Sequence, residues 1–397
     1  MLHPYNHGVA SPDAETAYLF RHALLRDAAY QMQMPSERGR LHALALDLIE
    51  EMVGSVPVFE HDPFTAGRKP HPCDSFAGEL AEHAAAAAIL GEKNEAYFRS
   101  REAVYLWRSA IHHRSLYRLS AAKNVFASVA DHPCTPPMVK ASANSRAGYA
   151  AWHTGCLDEA QSYFGRALEM TQEPAHAGEH CVVSMDLAGV LTNQGRFDEA
   201  ESLLKRAAGI AQARQDTTLK VDVLVSLGIL LRNRNRIEDS ISHQLQALAL
   251  AEREGSARLQ SLALTNLGAS YGCAGRFLEA KSSIERSQAM EGARNNPREH
   301  AICLSNLADI HHALGQHELA EQMLRESLKI AVSHGARPAI ALRTYNLANV
   351  LAALDRHREA QEAATNCHAI ALEAGDRKLV ELSSKLVQKL AAMSPKP

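Results

Sequence analysis

The sequence predicts an all-α protein, an α-solenoid built as a right-handed superhelix of antiparallel helix pairs. Three observations lead to this prediction. A six-residue pattern recurs six times without a gap, a small residue precedes each copy by seven positions, and an alanine or serine lies five positions after the start of each copy. Self-similarity at a period of about 20–50 residues is typical of repeat folds, in which each unit buries its apolar faces against its neighbours.

The recurring pattern spaces the units by 40 residues. The copies read GCLDEA, GRFDEA, NRIEDS, GRFLEA, GQHELA and DRHREA, and they begin at Gly155, Gly195, Asn235, Gly275, Gly315 and Asp355. Gly and Asn can adopt the left-handed backbone conformation that ends a helix. We therefore expect the start of each copy to form the turn between the two helices of a pair.

Two columns of small residues predict how the helices of a pair meet. The first column precedes each copy, and a leucine precedes five of its six members: Gly148, Ala188, Gly228, Gly268, Ala308 and Ala348. The second column lies within the copies: Ala160, Ala200, Ser240, Ala280, Ala320 and Ala360. Small residues let neighbouring backbones approach, while leucine fills the space between helices. We expect both columns to be buried where the two helices cross.

This order of small residue, turn residue and alanine resembles the tetratricopeptide repeat family over roughly Val139 to Met393. The resemblance implies stacked helix pairs with a concave, ligand-binding groove. The usual unit has about 34 residues, so longer helices are expected here, as in the kinesin-light-chain-like and bacterial regulator branches of the family. A HEAT-type array has a similar period, but it does not predict the glycine and alanine columns.

The repeats divide the chain into three predicted regions. Residues 1–138 form an irregular helical region with degenerate repeats, and residues 139–375 form the six repeats. Residues 376–397 contain an amphipathic helix and a tail. A final helix of this kind covers the otherwise exposed apolar face of the last repeat, so we expect it to be the C-terminal cap.

Local signals place the helices of the N-terminal region. Helix starts are predicted at Ser11-Pro12, ahead of Leu19, and at Ser36-Glu37. The stretch from Val56 to Asp74 is rich in Pro and His and is expected to be a loop. Helices are then predicted at about 76–90, 95–113 and 120–130.

Part of this region has a second resemblance. FRHALLRDAAY, from Phe20 to Tyr30, and ERGRLHALALDLIEE, from Glu37 to Glu51, resemble the helical junction between the ATPase and tetratricopeptide halves of bacterial STAND-class signalling ATPases. The chain has no GxxxxGK[ST] phosphate loop, the motif that a nucleotide-binding half of this kind uses. The resemblance therefore implies a sensor or scaffold half alone, with a signalling ATPase or cyclase as a candidate partner.

Composition disfavours several classes of function. Lysine and arginine number 42 against 45 acidic residues, so no basic surplus is available to release counterions from a nucleic acid. No stretch approaches the roughly 20 apolar residues of a membrane helix, and the first residues lack the pattern of a signal peptide. The seven cysteines are scattered and form no CxxC pair, as expected of reduced thiols. We expect a cytoplasmic protein that binds neither nucleic acid nor membranes.

The main candidate site is a column of three asparagines, Asn266, Asn306 and Asn346, each nine residues before a turn residue. In tetratricopeptide arrays this register faces the concave groove, where a primary amide can donate to and accept from the backbone of an extended peptide. The alternative is that each amide bonds its own or a neighbouring helix. Earlier units carry other residues in this register: Arg146, Asp186 and Ser226. The predicted peptide-binding column therefore lies in the C-terminal half of the array.

Four further residues share the predicted groove face and complete the predicted peptide-binding set: Asp309, Asn349, Arg232 and Asn233. They would set the charge preference of the ligand. The alternative is that several of them are simply solvated.

Signals for catalysis or metal binding are weak. His61, Asp62, His71, Cys73 and Asp74 crowd one loop, but without the CxxC or HxxxH pairs of a zinc site. No GxSxG elbow or HExxH pair occurs. We therefore expect no catalytic residue, no cofactor and no metal ion. The two tryptophans, Trp107 and Trp152, are predicted to pack in the core or between helices.

These observations predict a protein- or peptide-binding scaffold or regulatory module that uses the concave groove, and not an enzyme. The alternative is a small-molecule sensor subunit, or the detached sensor half of a STAND-type signalling ATPase.

Overall fold

The computed structural model describes residues 2–5, 17–20, 30–60, 64, 70–290, 297–374 and 376–393. Over these residues the chain forms 17 α-helices, two short 3₁₀ helices and one pair of strands. The predicted all-α solenoid is confirmed. The helices belong to two compact units. The first is drawn from residues 1–60, 67–109 and 132–135, and the second from 61–66, 110–131 and 136–397.

Two four-residue strands of the first unit, β1 (Leu2–Tyr5) and β2 (Ala17–Phe20), pair antiparallel, with Leu2 opposite Phe20. The helix predicted ahead of Leu19 is wrong at that residue, which lies in β2. Pairing with β1 satisfies backbone groups that a helix would have satisfied internally, and aromatic residues such as Tyr18 and Phe20 favour strands. The predicted helix start at Ser11-Pro12 lies outside the described residues.

Three helices build the rest of the first unit, and they confirm the helices predicted there. Helix α1 spans Pro35–Val53, α2 spans Ala77–Ala87 and continues into a 3₁₀ turn at Ala88–Leu90, and α3 spans Glu92–Ser115. Residues 92–109 of α3 belong to the first unit and residues 110–115 to the second. Pro35 occupies the first helical position of α1, and the Glu37 side chain accepts a hydrogen bond from the Met34 N–H at 3.3 Å. The described part of the predicted loop, 56–60, 64 and 70–74, contains no helix.

The core of the first unit lies between these helices. Its buried residues include Leu46, Leu80, Ala84, Phe98 and Tyr105. Helix α1 contains the Glu37–Glu51 stretch of the junction resemblance, whereas Phe20 of the other stretch lies in β2 and residues 21–29 lie outside the described residues.

The second unit contains α4 (Leu119–Asp131) and the six helix pairs. The first helices of the pairs are α5 (Pro137–Thr154), α7 (Ala177–Asn193), α9 (Thr217–Asn233), α11 (Ala257–Cys273), α13 (Pro297–Ala313) and α15 (Arg337–Ala353). The second helices are α6 (Leu157–Met170), α8 (Phe197–Ala213), α10 (Ile237–Glu254), α12 (Phe277–Ala289), α14 (His317–Ser333) and α16 (His357–Ala374). A 3₁₀ turn, Pro174–His176, precedes α7.

The turn inside each pair has the predicted backbone conformation. The first residue of each copy has a positive φ: Gly155 (89°), Gly195 (77°), Asn235 (62°), Gly275 (74°), Gly315 (77°) and Asp355 (58°). In the fourth unit the N–H of Arg276 bonds the carbonyl of Tyr271 at 2.9 Å, and the N–H of Gly275 bonds that of Gly272 at 3.1 Å. These bonds satisfy the last carbonyls of the first helix.

Both small-residue columns are buried where the helices of a pair cross. A methyl group on Gly268 would lie 2.5 Å from Cγ1 of Ile284 and 3.1 Å from the carbonyl oxygen of Ala280, so this position has no room for a side chain. Ala280 is itself fully buried. Ser240, the one substitute in the alanine column, donates its hydroxyl to the carbonyl of Gly228 at 2.7 Å, so the buried hydroxyl is satisfied.

Helix α17 (Arg377–Met393) packs on the last pair. Its Leu386 and Leu390 join a buried cluster with Leu347, Ala348 and Ala364. The N–H of Leu379 donates to the Asp376 carboxylate at 2.9 Å, which caps the start of the helix. Among the described helices, none combines the length with the apolar run that a membrane crossing requires.

Candidate functional site

A cavity of about 760 Å³ lies on the inner side of the second unit. Residues of α5, α7 and α9, from the first half of the array, line it together with residues of α13, α15 and α17 from the second half. Helices α5 and α15 also pack directly against each other. The array therefore curls until its beginning meets its end, and the groove becomes a partly enclosed pocket of the size that small ligands occupy, roughly 300–1,000 Å³.

Three contacts join the two halves of the array around this cavity. The ring of Tyr117 stacks on His334 with centroids 3.9 Å apart and planes 15° apart. Arg298 of α13 donates a hydrogen bond to the Tyr149 hydroxyl of α5. Lys378 of α17 donates to Oδ1 of Asn233 on α9 at 3.4 Å. Residues far apart in sequence thus form the rim of the cavity.

The three predicted asparagines differ in what their amides bond. Nδ2 of Asn266 donates to the carbonyl of Leu262 at 2.9 Å, within its own helix. Nδ2 of Asn346 donates to Oδ1 of Asp309 at 2.8 Å, across to the preceding unit. Asn306 lines the cavity, and its amide forms no hydrogen bond with the part of the chain that the structure describes. Of the column, Asn306 alone lies in the cavity wall with an unused amide.

The other four predicted residues are also divided. Asn349 and Asn233 donate to carbonyls of their own helices, at 3.0 Å in both cases. Nη1 of Arg232 donates to the carbonyl of Asn266 at 3.2 Å and to the Ser270 hydroxyl at 3.4 Å, so it links two neighbouring units. Asn233 lines the cavity, whereas Arg232 and Asn349 are not part of its wall. The structure thus brings Asn233 and Asn306 together and leaves the remaining members outside.

Positive charge dominates the cavity wall, a feature that the sequence interpretation missed. Arg114, Arg298, Arg343 and Lys378 line the cavity, against one carboxylate, Asp376, which caps α17. These residues share no register in the repeat, and the net charge of the chain is -3. Neither the repeat pattern nor the composition could therefore have indicated a basic cavity.

Burial weakens the preference of Arg343 and Arg114 for the charged form. Burial lowers the pKa of Arg343 to about 10, the charge of Arg298 adds to this effect, and Asp309 opposes it. Arg343 is 5% exposed, and its Nε donates to the Ser327 hydroxyl. Burial also lowers the pKa of Arg114. Burial of the two guanidinium groups thus opposes their positive charge.

Two carboxyl groups beside the cavity have raised pKa values. Burial raises the pKa of Asp186 to about 7 against the opposing charge of Arg298, and burial raises that of Asp309 to about 7 against Arg343. The Asp309 side chain is exposed to water, and the protein that surrounds it still desolvates its carboxyl group enough to raise the pKa. Burial also lowers the pKa of His153 well below its usual value, and its Nε2 is buried without a hydrogen-bond partner among the described residues.

The predicted loop cluster is held by internal bonds. Asp74 pairs with Arg108, whose Nε donates to it at 2.8 Å, and Nδ1 of His71 lies 3.0 Å from Sγ of Cys73. Burial raises the pKa of Cys73 to about 11, so its thiol is a poor nucleophile. His61 and Asp62 lie outside the described residues. Within the described residues, no group of three or more His, Cys, Asp and Glu is placed to hold a metal ion.

The two tryptophans pack in different ways. Trp107 is fully buried and donates its Nε1–H to Glu60 at 2.8 Å, as expected of a core residue. Trp152 packs between helices, since a methyl group on Gly189 would lie 2.5 Å from its ring, and it also lines the cavity. Its packing was predicted, but its place in the cavity wall was not.

Comparison with known proteins identifies the repeat. The profile of the family described as tetratricopeptide repeat matches residues 140–213, 179–253 and 259–333. No curated protein sequence matches the chain.

Solved structures with similar architecture include two Rap proteins. The apo form of RapI has a TM-score of 0.50 and 16% identity, covering 72% of this chain and 99% of that one. A Rap protein complexed with Competence and Sporulation Factor has a TM-score of 0.53 and 12% identity, covering 89% and 100%.

A third similar structure is a signal transduction ATPase with numerous domains (STAND) that carries a tetratricopeptide repeat sensor, from Pyrococcus horikoshii. It has a TM-score of 0.44 and 14% identity, covering 98% of this chain and 64% of that one. The likeness to the two Rap structures extends the shared helical-repeat fold beyond the residues that the profile matches. Residues 140–253 and 259–333 thus match tetratricopeptide repeats, as their sequence predicted.

Proposed function

We propose that this protein is a non-catalytic regulatory or scaffold module that captures a peptide in the cavity of its second unit. The observation that carries the proposal is the position of Asn306, whose amide lines the cavity and bonds no described residue. A free primary amide can donate to and accept from one peptide unit of an extended ligand. Apolar residues of the same wall, Ile302, Leu342 and Leu382, would accommodate the ligand side chains.

The similar Rap structure supports this proposal, since that protein is complexed with Competence and Sporulation Factor. In the present chain the cavity is lined by side chains of the second unit, and Asn306 among them is the residue on which the proposal depends. Asn233 extends the polar part of the wall, where its Oδ1 already accepts a hydrogen bond from Lys378.

The proposal is tested by presenting the purified full chain with an equimolar library of short peptides and identifying the retained peptides by mass spectrometry. For a retained peptide, Asn306→Ala should weaken binding by about 1 kcal/mol, or roughly fivefold, because the ligand loses a donor and an acceptor. The melting temperature should stay unchanged, since no described residue loses a partner.

Ser226→Ala is the matched control, because Ser226 has the same register but donates to the carbonyl of Asp222 in its own helix at 2.8 Å. It should leave affinity unchanged. A lower melting temperature for Asn306→Ala with unaltered affinity would assign Asn306 to structure and contradict the proposal.

The cavity volume also suits the alternative function, a small-molecule sensor. The same library distinguishes peptide binding from small-molecule sensing. A cavity built for a small molecule should retain no peptide whose binding depends on Asn306. A screen of metabolites by thermal shift would then identify the ligand class.

A further inference from the structure

One side of helix α1, in the first unit, is apolar and exposed. The side chains that form it follow one another at spacings of three or four residues, which places them on one side of the helix. They are Leu41, Leu44, Leu48 and Met52, and we call them the α1 stripe. Each of the three leucines is slightly more than half exposed, and Met52 is 82% exposed. A contiguous run of large exposed apolar side chains is typical of an interaction site.

The opposite side of α1 already has its packing partner within the first unit. Leu46 is fully buried, and Ala43, Ile49 and Val53 pack against the same core cluster, which includes Leu80 of α2. A helix that is apolar on two sides is typical of a position between two packing partners. More than half of the large apolar side chains that are exposed in the described chain belong to the first unit, although it is the smaller of the two.

Charged residues along one edge of the α1 stripe indicate what packs on it. Arg40, Asp47 and Glu51 follow at spacings of seven and four residues, so they share one side of the helix, and all three are exposed. Within the described part of the chain, none of their side chains forms a hydrogen bond or an ion pair. The guanidinium group lies toward the start of α1 and the two carboxylates toward its end. This edge is therefore complementary in charge to a second copy of itself that runs in the opposite direction.

We propose that two copies of this chain form a dimer in which their α1 helices pack antiparallel through the α1 stripe. With the two-fold axis level with Leu46, Leu44 of one copy lies opposite Leu48 of the other. Arg40 of one copy then lies beside Glu51 of the other, whereas parallel packing would place like charges side by side. One helix from each copy gives an interface near the lower end of the usual range, about 1,200 Å² in total, so the dimer should dissociate on dilution. The proposal is independent of what the cavity of the second unit binds.

Sedimentation velocity of the purified full chain over a wide range of concentration tests the proposal. The mass should rise from that of one chain toward that of two as the concentration increases. Leu44→Glu should weaken the dimer about tenfold or more, because it places a carboxylate among the apolar side chains of both copies. Leu245→Glu, which changes an exposed leucine of α10 in the second unit, is the matched control and should leave dimerisation unchanged. Circular dichroism melting of each variant shows whether it is folded.

A charge exchange tests the antiparallel arrangement with variants that change only exposed residues. Arg40→Glu and Glu51→Arg should each weaken self-association about tenfold, because each places like charges side by side twice in the symmetric dimer. An equimolar mixture of the two variants should dimerise as well as the unmodified chain, since both contacts then join opposite charges. If Arg40→Glu dimerises best with the unmodified chain instead, the helices pack parallel and the proposed arrangement is wrong.

Other outcomes would overturn the dimer itself. A chain that stays monomeric at every concentration forms no such dimer, and a dimer that Leu44→Glu leaves unchanged uses another surface. A monomer whose melting temperature falls in Leu44→Glu would show that the same chain covers the α1 stripe. A monomer that floats with phosphatidylcholine vesicles, and loses this binding in Leu44→Glu, would assign the α1 stripe to a membrane surface.

Discussion

The three asparagines of the groove register differ in what their amides bond, and the residue beside them in the preceding unit explains the difference between Asn346 and Asn306. Asn346 donates to Asp309, which lies three residues after Asn306. The position equivalent to Asp309 in the unit before Asn306 is Ala269, which has no acceptor in its side chain. Asn306 therefore keeps its amide unused, and it faces the cavity. Register alone does not reveal whether an acceptor engages the amide, as Asp309, 37 residues earlier, does for Asn346 and the Leu262 carbonyl does for Asn266.

At the same scale, Asp186 should make the stability of the protein depend on pH. Its folded-state pKa of about 7 is above the usual value of 3.8. Between these two values the folded protein holds a proton that the unfolded chain has lost. The contribution of Asp186 to the free energy of unfolding is thus fully present below about pH 4 and is lost as the pH rises through 7.

Asp186→Asn removes this titration at nearly constant shape. The variant should exceed the unmodified protein in free energy of unfolding by on the order of 1–4 kcal/mol at pH 8, and by much less at pH 5. Urea unfolding at both pH values measures the difference. Asp47→Asn, on the exposed face of α1, is the control and should show no such change between the two pH values. If Asp186→Asn is less stable at pH 8, the carboxylate is held by Arg298 more strongly than burial opposes it.

At the scale of the helix pair, two glycines of α11 allow a sharp test of the packing. Gly268 faces Ile284 and the backbone of Ala280, whereas a methyl group on Gly272 would meet nothing within 4 Å. Gly268→Ala should destabilise the protein by about 1–3 kcal/mol, because the two helices must separate. Gly272→Ala should stabilise it by about 0.5–1 kcal/mol, because alanine favours the helix and no contact opposes it. Thermal unfolding of the two variants measures both effects, and equal shifts would contradict the close crossing.

The sequence predicts the elements of the array well because its signals are local. A residue with positive φ at each turn, and a small residue at each crossing, are requirements of one helix pair and recur in every copy. The strand at Leu19 was not predictable in the same way, because it depends on pairing with residues 2–5. The basic wall of the cavity escaped prediction for a related reason. Arg114, Arg298 and Arg343 come together only when distant helices meet.

At the scale of the whole second unit, closure of the array distinguishes this protein from an open solenoid. In an open array each repeat contacts only its neighbours, so small rotations between repeats set the curvature and the two ends stay independent. Here α5 packs on α15, and Tyr149 accepts a hydrogen bond from Arg298. Many small rotations between neighbouring repeats add up, and their sum decides whether the two ends meet. The sequence of a single repeat does not reveal that sum.

Truncation after Ala374 tests this closure, because it removes α17 and the contact of Lys378 with Asn233 while each helix pair keeps its neighbours. Loss of Leu386 and Leu390 should expose the apolar face of the last pair and lower both solubility and melting temperature. Amide hydrogen exchange should accelerate in α15 and α16, and also in α5, since α5 packs on α15. Helix α8, which packs on α7 and α9, is the internal control. Faster exchange confined to α15 and α16 would show that the two ends are energetically independent, and the cavity would then be an open groove in solution.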